Sequence, residues 1–263
     1  MFVNGLAECG TKNCVAELAK RIKSKQVSQA NAVKALLALT QLPAPSDNIL
    51  EEMEQLCSSE PVESQPTTKQ SCWLTFGALV NEVCQHKTEK NAEECAGETA
   101  NCAQSGFSKK GQCPMDKKQK YKEAMLAVYQ NSGCIYDKIV ALSALGNAGM
   151  DNSLKELENI IKDPREPRVV RVMAIHATRR LQVTEPWEVQ SVLLPVFLNT
   201  REQPHVRIAA FANLMNENGQ PEPHVVDQLM YTIANEPNKE VQAYAYRMMK
   251  AMAKSQKPNE KQM

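Results

Sequence analysis

The sequence predicts an all-α protein. Stacked helical hairpins would form a right-handed, two-layer α–α superhelix, a HEAT-like solenoid taking in residues 1–263. Three observations carry that expectation. Apolar residues recur at steps of three and four, the stripe of an amphipathic helix. Prolines 167, 186, 204, 221 and 237 fall in the gaps between stripes, where they start or stop helices. A small residue also returns at nearly constant spacing. The alanines of Arg171-Val-Met-Ala174, Arg207-Ile-Ala-Ala210 and Gln242-Ala-Tyr-Ala245 are 36 and 35 residues apart, and Lys138-Ile-Val-Ala141 ends 33 residues before Ala174.

The elements follow in order. The first half gives helices over 12–24, 26–42, 47–58 and 68–86, the second with a strong apolar face of Ala32, Val33, Leu36, Leu37 and Leu39. Between His86 and Lys117 the periodicity stops. Gly97, Gly106, Gly111, Pro114 and three cysteines there describe a Cys- and Lys-rich surface loop at about 87–117. Beyond it, residues 152–162 carry Leu154, Leu157, Ile160 and Ile161 on one face. Residues 187–198 carry Val189, Val192, Leu193, Val196 and Phe197, and residues 224–234 carry Val225, Val226, Leu229, Met230 and Ile233. Ile160, Phe197 and Ile233 repeat at 37 and 36 residues, so both helices of the hairpin recur. One hairpin cannot bury its apolar face alone, whereas a stack buries a continuous core. About twelve helices result. Asn218-Gly219 separates two helical patterns and is no hairpin signal.

Composition excludes several classes. With 43% hydrophobic and 23% charged residues the chain is not disordered, and 10 Gly with 14 Pro is not collagen-like. The longest apolar run, 192–198, is interrupted by Pro195 and falls far short of the ~20 residues of a membrane span. A net charge of +1 indicates no dominant basic field for nucleic acid. Residues 1–9 have no basic or long apolar run, so they are not a secretory signal peptide, and the chain reads as a piece of a longer protein.

Cys9, Cys14, Cys57, Cys72, Cys84, Cys95, Cys102, Cys113 and Cys134 all lie in the first half. The crowding points to a local disulfide framework and an oxidising compartment. Reduced buried thiols are the alternative. Zinc is a third reading, through Cys84, His86, Cys95, Cys102 and Cys113, but the C-x-x-C pair that such sites show is absent. Cys72 and Cys84 on one helix would be roughly 18 Å apart, beyond bridging reach, so each must find a partner elsewhere. The cysteines of the 87–117 loop are the nearest supply. A turn at Gly10-Thr11 would let Cys9 and Cys14 close a small ring. The partners of the other seven cysteines stay open, and the odd count leaves one thiol free or paired outside these residues.

Residues 8–14, Glu8-Cys9-Gly10-Thr11-Lys12-Asn13-Cys14, resemble the small cysteine ring in the helical domain of the large lipid transfer proteins. That family includes the vitellogenins, apolipophorins, apolipoprotein B and the microsomal triglyceride transfer protein. Residues 71–80 (SCWLTFGALV) resemble a family motif, and residues 138–149 (KIVALSALGNAG) resemble its segment ending in Gly-Asn-x-Gly. Residues 194–197 (LPVF) and 205–210 (HVRIAA) look most like the vitellogenin branch. The resemblance covers essentially the whole chain and implies a Cys9–Cys14 pair. The family's amino-terminal β-barrel and carboxy-terminal sheets have no counterpart in these residues.

Enzyme signatures are absent: no His-Glu-x-x-His, Gly-x-Ser-x-Gly, Walker or dinucleotide pattern occurs, so no catalytic residue, metal ligand or cofactor is expected. His176 reads as a structural histidine, and His205 and His224 as helix-start residues. Lys109, Lys110, Lys117, Lys118 and Lys120 form the concentrated basic stretch, either a contact for a polyanion or an acidic receptor module or, as the better reading, a solvated face. Met215, Met230, Met248, Met249 and Met252 read as gap fillers between helices rather than a lipid surface.

The resemblance implies a secreted, extracellular lipid-transport and storage role. The helical domain would brace a cavity formed by sheets outside these residues. Phospholipid and neutral lipid are the expected partners, acting through the full-length carrier, with an endocytic receptor and a homodimer as further ones and no nucleic acid. The alternative is an intracellular HEAT-like scaffold for protein interaction, which would keep its cysteines as thiols.

Overall fold

The computed structural model describes residues 2–42, 45–84, 113–216 and 221–254. Among these every regular element is a helix. Two compact units divide the chain, Met1–Met150 and Asp151–Met263.

In the first unit α1 (Phe2–Cys9) and α2 (Lys12–Lys23) are followed by α3 (Gln29–Leu39), α4 (Asp47–Cys57), the short α5 (Glu60–Glu63) and α6 (Pro66–Cys84). Then come α7 (Met115–Asn131) and α8 (Ile135–Ala148). Packing skips one element at each step: α1 lies on α3, α2 on α4, and α6 on α3 and α4 before meeting α8. Helix α1 is absent from the sequence-based expectation. Its stripe is only a few residues long and is interrupted by Gly5, yet Ala7 is fully buried once α3 packs on it. The loop expected to reach 117 ends by Met115, where α7 starts behind Pro114 and places Lys117, Lys118 and Lys120 on a helix. The rest of that expected loop, 87–112, lies outside the described residues.

The α6–α8 contact explains two sequence motifs. A Cβ at Gly77 would fall deep inside the carbonyl oxygen of Ala144, so the backbones approach as only glycine permits. Asn147 Nδ2 donates to Leu74 O at 3.3 Å and Asn81 Nδ2 donates to Ala148 O at 3.0 Å, a reciprocal pair across the seam. Gly149 ends α8 in the left-handed conformation at φ 58°, its N–H returning to Leu145 O. Residues 146–149 thus supply a cross-helix hydrogen bond and a helix stop within four positions. Trp73, Phe76 and Tyr121 pack edge to face beside them, each ring pair 5.7 Å apart.

Among the described residues of the second unit three hairpins follow: α9 (Leu154–Lys162) with α10 (Arg168–Ala177), α12 (Pro186–Leu198) with α13 (Pro204–Leu214), and α14 (Pro223–Ala234) with α15 (Lys239–Lys254). A short α11 (Leu181–Thr184) joins the first two. Three helices start on proline at the first turn, which presets φ where the missing N–H is harmless. First helices stack on first helices (α9, α12, α14) and second on second (α10, α13, α15), giving two layers within this unit. Ala174, Ala210 and Ala245 are each at most 1% exposed, so the recurring small residue is where second helices close on their neighbours.

Candidate functional site

Among the described residues three disulfides staple the first unit. Cys9 and Cys14 bond across the αL residue Gly10 (φ 62°), between α1 and α2. Cys57, at the end of α4, bonds to Cys72 in the second turn of α6. Cys84, the last residue of α6, bonds to Cys113 just ahead of α7. The helix carrying Cys72 and Cys84 is therefore anchored at two places, but Cys72 turns back to α4 rather than forward to the 87–117 loop. The reason is that α4 and α6 pack directly, which brings the two Cα atoms within 5.4 Å. Cys134 is exposed and in no disulfide among the described residues. Cys95, Cys102, His86, Lys109 and Lys110 lie outside those residues.

Two of the described lysines of the basic stretch pair with carboxylates of α4. Lys117 Nζ donates to Asp47 Oδ2 at 2.9 Å and Lys120 Nζ lies 2.9 Å from Glu54 Oε2, so α7 is tied to α4. Lys118 and Lys122 are buried along the same helix. Asp47 holds the Lys117 ammonium above its ordinary pKa. Tyr121 is raised strongly, by burial first and then by Asp47, Glu51 and Glu54. Lys118 is buried and Lys117 partly so, whereas Lys120 keeps about half of its side chain in solvent.

A second charge cluster lines a cavity of about 420 Å³. Lys69, on α6, bridges Glu63 Oε2 (2.6 Å) and Asp137 Oδ2 (3.0 Å), while Trp73 Nε1 donates to Glu63 and Ser132 Oγ to Asp137. Burial opposes the Lys69 charge, and the two carboxylates outweigh it and raise the pKa. Each charge is satisfied by a neighbour, as a structural cluster requires.

The second unit carries a feature that motif reading missed. Arg171 Nε donates to Ile161 O (2.7 Å), closing the end of its own hairpin's first helix, while its two terminal nitrogens hold Glu202 in the next hairpin's loop. Arg207 repeats this one hairpin on: Nε donates to Phe197 O (2.8 Å) and the fork holds Glu236, the side chains 1% and 0% exposed. For Glu202 and Glu236 burial works against the charge, and the guanidinium and a loop N–H override it, holding both carboxyls below the usual range. The available signal was arginine at the same place in two repeats, with a glutamate five or six residues ahead of the next repeat position.

His176, His205 and His224 sit on α10, α13 and α14. The latter two face Glu240 at 3.8 Å and Glu222 at 2.9 Å. Among the described residues no three His, Cys, Asp or Glu side chains gather as a metal site, and no helix is long and apolar enough to cross a membrane. The methionines divide. Met215 is buried as a gap filler, whereas Met230 is 51% exposed and lines a groove with Met249 and Met252, because no described helix lies over that face.

The profile of the vitellogenin TPR domain matches residues 1–250. Vitellogenin-6 of Oscheius tipulae is 31% identical over 264 residues, and Vitellogenin-6 of Caenorhabditis elegans is 31% identical over 265. Those alignments take in 100% and 99% of this chain but only 15% of each relative. A vitellogenin of Ichthyomyzon unicuspis is 22% identical over 98% of the chain. Among solved structures, one describing lipid–protein interactions in lipovitellin superposes over 98% of this chain and 25% of its own, with a TM-score of 0.78 and 22% identity. The stacked α–α architecture is shared along almost the whole length. A profile matched over nearly every residue, on this fold, establishes that the chain belongs to the vitellogenin family, as its helical domain.

Proposed function

We propose that this chain is the helical domain of a secreted lipid carrier and yolk precursor, and that it braces a lipid cavity whose walls are formed by other parts of the carrier. The observation that carries the reading is the family match over 1–250, set on a fold shared with a lipovitellin structure. The geometry supports a bracing role. In the second unit the apolar stripes of the first two hairpins are used up between hairpins, with Leu157, Ile161, Leu193 and Phe197 all fully buried. Acyl retention rests on roughly 0.8 kcal/mol per buried methylene, so a stack with its stripes occupied holds little lipid. Three disulfides among the described residues of the less regular unit favour an oxidising compartment and an extracellular carrier over an intracellular scaffold. In this reading the chain catalyses nothing, and lipid, a receptor and a second copy are partners of the whole carrier.

The test compares lipid co-purified per mole of protein for residues 1–263 and for the full-length carrier. Most of the lipid is expected with the full-length protein. Equal loading would mean that the helical stack is itself the container.

A further inference from the structure

The cavity beside Lys69 lies wholly within the first unit. Helix α6 supplies Lys69 and Trp73, α5 supplies Glu63 and α8 supplies Asp137, while the last turns of α7 close one side. At about 420 Å³ it falls in the range of small-molecule sites.

Formal charge is unbalanced there. Glu63 and Asp137 bring two negative charges, and Lys69 is the one cation in the lining. That ammonium is already engaged, since Nζ lies within 3.0 Å of both carboxylates and its side chain is only 9% exposed. Both hydrogen bonds to Asp137, from Lys69 and Ser132, fall on Oδ2, which leaves Oδ1 without one among the described residues. Helix ends add to the same sign. Asn131 is the last residue of α7, Ser58 is the C-cap of α4, and both line the cavity. Neither helix has a basic residue in its last turn, where cations ordinarily answer the negative end of the dipole. The positive start of α8 is answered by its own Asp137.

A cation drawn to this cavity is not a bare metal ion. Glu63 and Asp137 already hold Lys69, and no third ligand gathers with them among the described residues. The remaining lining is apolar. Trp73 is itself 1% exposed, so the contact surface is that of Ala124, Ala127 and Val128 of α7, each half-buried. N-methyl groups cover such a wall, whereas a primary ammonium leaves it bare. We propose that this cavity binds a quaternary ammonium cation of the choline type, with its charge beside Asp137 and its methyl groups on the α7 wall. The cation comes either as free choline or as the headgroup of a choline phospholipid. Such a site stands whether or not the chain braces a lipid cavity.

The test is isothermal titration calorimetry of the full chain at physiological salt, with choline chloride, ethanolamine, sodium phosphate and dihexanoylphosphatidylcholine as titrants. Choline is expected to saturate one site, to be displaced by tetramethylammonium but not by potassium, and to bind several-fold more tightly than ethanolamine. Asn131→Lys puts a cation at the exposed end of α7, where the dipole tolerates it, and should weaken choline roughly tenfold or more with an unchanged unfolding midpoint. Asp137→Asn should weaken it likewise. That change also touches the Lys69 pair, so circular dichroism checks its fold, and Asn131→Lys decides if the fold is lost. Tighter binding of dihexanoylphosphatidylcholine than of choline, also lost in Asn131→Lys, names the headgroup as the source, and the reverse order names the free cation. Three outcomes overturn the proposal: no saturable choline binding at millimolar concentrations, a preference for ethanolamine or phosphate, or choline binding that Asn131→Lys leaves unchanged.

Discussion

Arg207 and Glu236 form a bidentate ion pair, wholly buried, between two consecutive hairpins. The same guanidinium also holds Phe197 O and lies over the Phe197 ring. One side chain therefore joins the end of one helix, the core and the next repeat. Breaking such a pair from one side strands a buried charge. Arg207→Met or Glu236→Gln is expected to destabilise by about 3–5 kcal/mol, and the double variant Arg207→Met/Glu236→Met by less than the sum. Urea unfolding of the three variants reads this, and additive losses would contradict a coupled pair.

The acid response follows from the same clasps. Glu202 and Glu236 have depressed folded pKa values. Their stabilisation is complete above the unfolded glutamate value, near 4.3, and is lost only as pH falls through the lower folded values. Wild-type protein should keep these two contributions through pH 5 and shed them below the ordinary carboxylate range. A Glu202→Gln/Glu236→Gln variant should show a flatter acid limb in a thermal-midpoint titration.

At the α6–α8 seam, Gly77→Ala should cost about 1–3 kcal/mol or more, because the added methyl meets backbone that cannot rotate away. Asn147→Ala should cost about 0.5–1.5 kcal/mol by removing the cross-helix donor to Leu74 O. Chemical denaturation measures both, and a neutral Gly77→Ala would mean that the helices sit further apart.

Non-reducing peptide mapping should recover Cys9–Cys14, Cys57–Cys72 and Cys84–Cys113, with Cys134 alkylated in the native protein. The enclosed separations are 5, 15 and 29 residues, so chain entropy ranks their stabilisation at roughly 2, 3 and 3.6 kcal/mol. Removing the Cys57–Cys72 bridge should therefore lower the midpoint more than removing Cys9–Cys14.

What was legible in the residues was whatever depends on local periodicity. The repeated stripes, the prolines between them and the alanines at 141, 174, 210 and 245 define helices, hairpins and a stack, since a 3.6-residue period and a small contact residue are written along the chain itself. Pairing was decided only in three dimensions. Cys72 goes to Cys57 because α4 packs on α6, and Lys117 goes to Asp47 because α7 reaches α4, contacts across 15 and 70 residues that no spacing rule contains. The arginine clasps lie between these cases. Their positions repeat in the sequence, but their partners and burial exist only once the hairpins stack, and the exposure of Met230 and Tyr246 appears only when the layers show which faces lie uncovered. Helix formation is a local balance of propensity and stripe, whereas partner choice depends on which surfaces exclude water together, and that is a property of the folded arrangement.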